Sequence, residues 1–257
     1  MRRRTLLAGG AAAGATAVLA GYRGREHAEE PVIPSGPVGD ERVEPRRSLT
    51  RGRTVDFYTA VPAGHGSGRG LPVCLVLHDA SATAADFPRL GLGRFLSDAV
   101  RRGAPPFVLA GATGGELFWR PSGGDDPQRM IREEVPFWCR ARGFDTSRRV
   151  AWGCSMGGYG ALLLAEAYPG FLRAVAALSP AVQPGDDVFV AARQLRPTPV
   201  GLWCGRQDDL YPDVRALARA LPTPPIAGSY ADGGHDFGYW SRCIPAAFAF
   251  LAGALRR

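Results

Sequence analysis

No lysine occurs in this chain of 257 residues; all 31 basic side chains are arginine. The formal net charge is +7, but the arginines are dispersed in short pairs such as Arg101-Arg102 and Arg148-Arg149. A nucleic-acid surface needs a basic stripe or cluster, so no nucleic-acid partner is expected. The five cysteines include no C-x-x-C spacing. That removes the usual zinc pattern, and neither a metal nor a cofactor is expected. Histidine is scarce: the chain has four, His27, His65, His78 and His235, so chemistry that needs an imidazole has few places to occur. No internal repeat is present, and no low-complexity segment lies beyond the first residues.

The start of the chain, "MRRRTLLAGGAAAGATAVLAGYRG", differs from the rest. Three arginines precede an uncharged stretch over 5–22 that is too short and too rich in Gly and Ala for a membrane span. It reads as a signal for export, and "RRTLL" resembles a twin-arginine leader. An ordinary secretory signal and an uncleaved anchor are the alternatives. No cysteine follows the apolar run, so a lipoprotein anchor has no attachment point. Residues 1–30 are therefore assigned to an export signal and linker, and residues 40–257 to one domain long enough to bury a full core. With the leader cleaved, no stable membrane span is expected. In an exported protein an even subset of the five cysteines could pair, but Cys74, Cys154 and Cys204 lie in or at the end of apolar runs, where buried free thiols are the commoner state.

From residue 71 onward, apolar strand-like runs alternate with helical patterns. "LPVCLVLHD", "PFVLAG", 149–153, 172–178, 199–204 and 226–230 read as strands. The stretches near 86–102, 126–141, 156–168, 212–220 and 239–254 read as helices. "ERVEPRRSL" and "RTVDFYTAVP" precede them as an antiparallel pair joined by "TRGR". The alternation predicts a mostly parallel central sheet with helices on both faces. Ligands bind such sheets outside the carboxyl ends of the strands.

Three strand ends carry candidate chemistry. In "VAWGCSMGGYGALLLAE", over 150–166, Ser155 sits between Gly153 and Gly157 where a strand turns into a helix. A sharp turn of this kind crowds the residues two positions either side of the serine, which calls for glycine, and it lifts the hydroxyl clear of the sheet. The helix that follows points its N-terminus at developing negative charge. A serine hydroxyl is a weak nucleophile without a base, and His235 in "YADGGHDFGYW" is the only histidine after it. A carboxylate between them should orient that histidine. "VGLWCGRQDDLYPDV" offers Asp208, favoured by its Gly-x-x-Asp spacing, and Asp209. The unused aspartate is expected to cap the next helix, and Asp213, Asp232 and Asp236 are weaker candidates.

"GCSMGGYGALLLAEAYPGFLRAVAALSPA", "CGRQDDLY", "GGHDFGYW" and "ELFWRPSGGDDP" resemble the putative-esterase family of α/β-hydrolases, which includes the esterase D type and the mycobacterial mycolyltransferases. The resemblance spans about residues 42–255. It implies an α/β-hydrolase fold, with Ser155 as nucleophile, His235 as general base and acid, and Asp208 as the orienting carboxylate.

Such an enzyme cleaves carboxylic esters through an acyl-enzyme, and two backbone amides stabilise its oxyanion. The residue after the serine, Met156, supplies one. By position, Ala80 supplies the other. Asp79 stands where many relatives have glycine, which places a carboxylate beside that loop. Only 18 residues, "VQPGDDVFVAARQLRPTP", separate "SPA" from the next strand, so no large cap domain is expected. Trp119 and Trp240 are expected to line the open cleft and bind substrate. The expected partner is an acyl ester. The competing readings are an acyltransferase that moves the acyl group to a sugar hydroxyl, a peptidase, and a non-catalytic cell-envelope protein.

Overall fold

The computed structural model describes residues 29–256. The leader read from the sequence lies almost wholly outside them. Eight strands form one sheet: β1 (Glu41–Ser48), β2 (Arg53–Ala60), β3 (Pro72–Leu77), β4 (Val108–Ala112), β5 (Asp145–Cys154), β6 (Val175–Leu178), β7 (Val200–Trp203) and β8 (Ala227–Ser229). Their order across the sheet is β1-β2-β4-β3-β5-β6-β7-β8. β1 and β2 pair antiparallel, as does β2 with β4, and every other pairing is parallel.

The helices are α1 (Leu92–Arg101), α2, α3 (Met156–Ala167), α4 (Asp187–Val190), α5 (Tyr211–Ala220) and α6 (Phe237–Leu255). α2 runs through three segments, Pro127–Arg129, a π-turn Met130–Glu134 and Val135–Ala141. The π-turn ends just before Pro136, which has no amide hydrogen to continue the ladder.

Central strands buried on both faces explain the continuous apolar runs. Every residue of β3 is buried. Val73, Leu75 and Leu77 join a core with Met130 and Val135 of α2, Leu162 of α3 and Leu217 of α5. Cys74 and Val76 join the opposite core with Phe95 and Leu96 of α1 and Phe248 and Leu251 of α6. Two cores on one sheet, with helices on both faces, make the mostly parallel architecture expected from the alternation. All five cysteines are buried and free, and burial pushes the Cys139 thiol up to about 12.

Two boundaries differ from the sequence reading. β5 begins at Asp145, because that residue still pairs with Pro72 of β3 before a register shift that resumes pairing at Val73 and Arg149. α1 begins only at Leu92. Ala84–Asp86 forms a separate 3-10 turn, and Gly91 at φ 75° breaks the path between them. The connection after β6 folds into α4 and a 3-10 turn, Ala192–Leu195, so among the described residues no large cap covers the sheet end.

Candidate active site

β5 ends at Cys154 and α3 starts at Met156, which leaves Ser155 alone in the turn at φ 51°, ψ −122°. A side-chain-bearing residue rarely takes this conformation, and the surroundings impose it. The Ser155 amide donates to the Leu178 carbonyl at 2.9 Å, and its carbonyl accepts from Tyr159 and Ala181, both at 3.0 Å. Glycine on either side is a packing requirement. A Cβ on Gly153 would lie 2.4 Å from the Gly157 carbonyl, and one on Gly157 would lie 2.0 Å from the Leu77 carbonyl oxygen.

The loops after β7 and β8 are clasped together. A Cβ on Gly205 would sit 2.0 Å from the Gly233 carbonyl oxygen. Gln207 accepts from the Gly233 amide at 2.6 Å through its side chain, and its own amide donates to the Gly233 carbonyl at 3.1 Å. This clasp brings Asp208 to His235. His235 Nδ1 lies 2.9 Å from Asp208 Oδ2 and 3.1 Å from Oδ1, and Nε2 lies 2.9 Å from Ser155 Oγ. A carboxylate only accepts, so Nδ1 carries the proton and Nε2 faces the hydroxyl as an acceptor.

The structure thus brings together the three residues that sequence order singled out, and it separates the adjacent aspartates. The Asp208 side chain is fully buried, whereas Asp209 is exposed. Burial acts to raise the Asp208 pKa, but hydrogen bonds from His235, Ser179 and the Leu210 amide outweigh it and hold the carboxyl below its ordinary value. Asp209 does not cap α5 as expected, since Leu210 occupies the cap position without a side-chain bond. Asp236 instead caps α6 by accepting from the Tyr239 amide at 2.9 Å.

Ser179 was not singled out from sequence, although the "SPA" segment that holds it was. It has φ 42°, is fully buried, and takes the Trp240 indole N–H on Oγ at 3.0 Å. Trp240 in turn packs edge-on against His235, with ring centroids 5.0 Å apart. Its burial makes it a support for the histidine, not a wall of the cleft. The same correction applies to Trp119, which is 1% exposed, packs 5.0 Å from His78 and fills the space left by Gly160.

Met156 opens α3, where the first amides of a helix have no partner within it. On the other side of Ser155 lies the β3 loop with Ala80. His78, buried there, accepts from the Gly114 amide on Nε2 at 2.8 Å and so donates from Nδ1 to the Asp79 carbonyl at 2.7 Å. Burial holds its pKa below the ordinary histidine value, which keeps the ring neutral as this pattern requires. The Asp79 carboxylate is occupied by the Ser81 amide and hydroxyl, both at 2.7 Å. Among the described residues no cluster of three or more His, Cys, Asp or Glu side chains is suited to a metal, and no helix is long and apolar enough to cross a membrane.

Residues 48–221 match the family model described as "Putative esterase". No curated protein matches the sequence. Solved structures with the same fold include a ferulic acid esterase, at TM-score 0.75 and 17% identity over 84% of this chain and 98% of that one. An S-formylglutathione hydrolase from Agrobacterium tumefaciens aligns at TM-score 0.66 and 18% identity, over 85% of this chain and 99% of that one. MPT51 (FbpC1) of Mycobacterium tuberculosis aligns at TM-score 0.63 and 17% identity, over 85% and 100%. The match to the family model covers more than half of the chain and the elbow that holds Ser155: the chain belongs to the putative-esterase family of α/β-hydrolases, and its enzymatic class is carboxylic ester hydrolase.

Proposed function

We propose that the protein hydrolyses carboxylic esters through an acyl-enzyme on Ser155. The observation that carries this reading is the continuous hydrogen-bonded chain Asp208–His235–Ser155 at the carboxyl edge of the sheet. Ser155 Oγ attacks the acyl carbonyl carbon as His235 Nε2 takes its proton. Asp208 holds the ring tautomer and stabilises the imidazolium. The negative charge that develops on the carbonyl oxygen falls between the Met156 and Ala80 amides, and each such donor is worth a few kcal/mol in the transition state. When the intermediate collapses, His235 returns the proton to the leaving alcohol. Water then attacks the acyl-enzyme by the same route and frees Ser155. The Asp79 charge is turned onto Ser81, which lessens its repulsion of the oxyanion.

The short β6–β7 connection also supports a second reading. With only α4 and a short 3-10 turn over the β6–β7 connection, a sugar hydroxyl has room to replace water as acceptor. A panel of acyl esters of rising chain length, with feruloyl esters and S-formylglutathione included because similar structures carry those names, separates the two. Hydrolysis alone predicts free acid in every case, whereas a transferase forms acylated sugar when an acceptor is added. If no ester in the panel is turned over, the reading fails. Export through the twin-arginine route remains part of this proposal, on the strength of "RRTLL" in the leader.

A further inference from the structure

One guanidinium ties the β1–β2 turn to both ends of the loop after β4, and that loop bonds to the β3 loop on the oxyanion side of the site. Arg51 lies in that turn and is 4% exposed. Its Nη1 donates to the Thr113 carbonyl at 2.7 Å, while Nε and Nη2 reach the two oxygens of Asp125, the latter at 3.1 Å. Thr113 and Asp125 are the two ends of the loop that carries Phe118 and Trp119, both at positive φ. Arg51 therefore closes this loop at its base. Asp125 is further fixed by Arg53 Nη2 at 2.8 Å and by paired backbone bonds with Ser122.

From Thr113 the path crosses to the β3 loop twice. Thr113 Oγ1 accepts from the Ala84 amide at 3.3 Å, and the next amide, Gly114, donates to His78 Nε2 at 2.8 Å. His78 Nδ1 donates to the Asp79 carbonyl at 2.7 Å, and the peptide that begins at this carbonyl ends at the Ala80 amide. The Trp119 ring closes the assembly against His78. A buried charge is costly unless its hydrogen-bonding groups are used. Here both ends of one loop use them.

We infer that Arg51 is a positioning residue for the oxyanion loop: by clamping Thr113 and Asp125 it holds Gly114 against His78, and so fixes where the Ala80 amide points. This inference rests on the reading of Ser155 as nucleophile and of Ala80 as an oxyanion donor. A lysine cannot take its place, because a point charge lacks the planar fork that serves the carbonyl and the carboxylate together.

The test is Arg51→Gln, assayed on one acyl ester, with thermal melts and the affinity for a trifluoromethyl ketone that mimics the tetrahedral intermediate. An oxyanion donor acts in the transition state, so kcat should fall by about tenfold to a hundredfold with KM changed by less than about twofold. Affinity for the ketone should fall by the same factor as kcat. A residue that only stabilises the fold would lower the melting temperature and leave kcat and ketone affinity of the folded protein unchanged; that result overturns the inference. If Arg51→Gln does not fold, Asp125→Asn carries the test, since it weakens the same clamp at its carboxylate end. It should lower kcat several-fold at constant KM, and an unchanged kcat overturns the inference equally. Ser155→Ala separates the two levels. If it stays active, the underlying reading fails, whereas an inactive Ser155→Ala beside a fully active Arg51→Gln sinks the clamp alone.

Discussion

Asp208 and Asp209 are adjacent in sequence and opposite in surroundings. One carboxylate is buried against His235 and the other faces solvent. Asp208→Asn keeps the shape but reverses the hydrogen-bond logic at Nδ1, and loss of the equivalent carboxylate in a Ser-His-Asp set costs about 10⁴ in turnover. Asp209→Asn should stay within about twofold of the parent, because an exposed residue without a capping bond changes little. Steady-state assays of both variants on one ester at one pH check this, and the reverse order of damage would move the assignment by one residue. The Gly-x-x-Asp spacing favoured Asp208 because Gly205 must be bare where the Gly233 carbonyl approaches. The clasp made by Gln207 was not legible in the sequence, since a glutamine between charged residues carries no local signal of a partner 26 positions away. Ser179 was hidden for a related reason. Its role depends on an indole from α6 that only the fold brings near.

At the level of elements, α3 links the site to an unused ionisable group. Glu166, on its third turn beyond Ser155, is 7% exposed, and its Oε2 has no hydrogen-bond partner. Burial, reinforced by the Asp187 charge, pushes its pKa up to about 7. The folded value lies above the unfolded one, so the stabilising state is the protonated one. Its contribution is fully present below about pH 4.3 and is lost as pH rises through about 7. Glu166→Gln, a neutral isostere, should therefore add on the order of 1 kcal/mol of stability at pH 8, read as a higher melting temperature, and differ little from the parent at pH 4. Melts at the two pH values decide it, and an equal effect at both would exclude ionisation as the cause. Most elements were legible because buried strands of this sheet are continuous apolar runs, as in Pro72–Leu77. The first half of β5 was not, because Asp145, Ser147 and Arg148 bond among themselves at the start of this central strand and carry no apolar pattern. Trp119 and Trp240 were misplaced for a different reason. Proximity to the site is readable from sequence, but the direction in which a ring is buried is not.

On the scale of the whole molecule, the parallel sheet places the ends of β3, β5, β7 and β8 along one edge, where the loops they lead into meet. The short β6–β7 connection leaves that edge uncapped. The proposed export signal is a separate matter, of delivery. With Arg3→Lys and Arg4→Lys together, precursor should accumulate in the cytoplasm if export follows the twin-arginine route, as fractionation would read; normal export of that variant excludes the route. The central claim is that Ser155 is the nucleophile, and a fluorophosphonate probe tests it most directly because it reacts covalently with an activated serine. Intact-mass and peptide mass spectrometry should find one adduct, on Ser155, and none in Ser155→Ala. An adduct on another residue, or undiminished labelling of Ser155→Ala, would contradict the account.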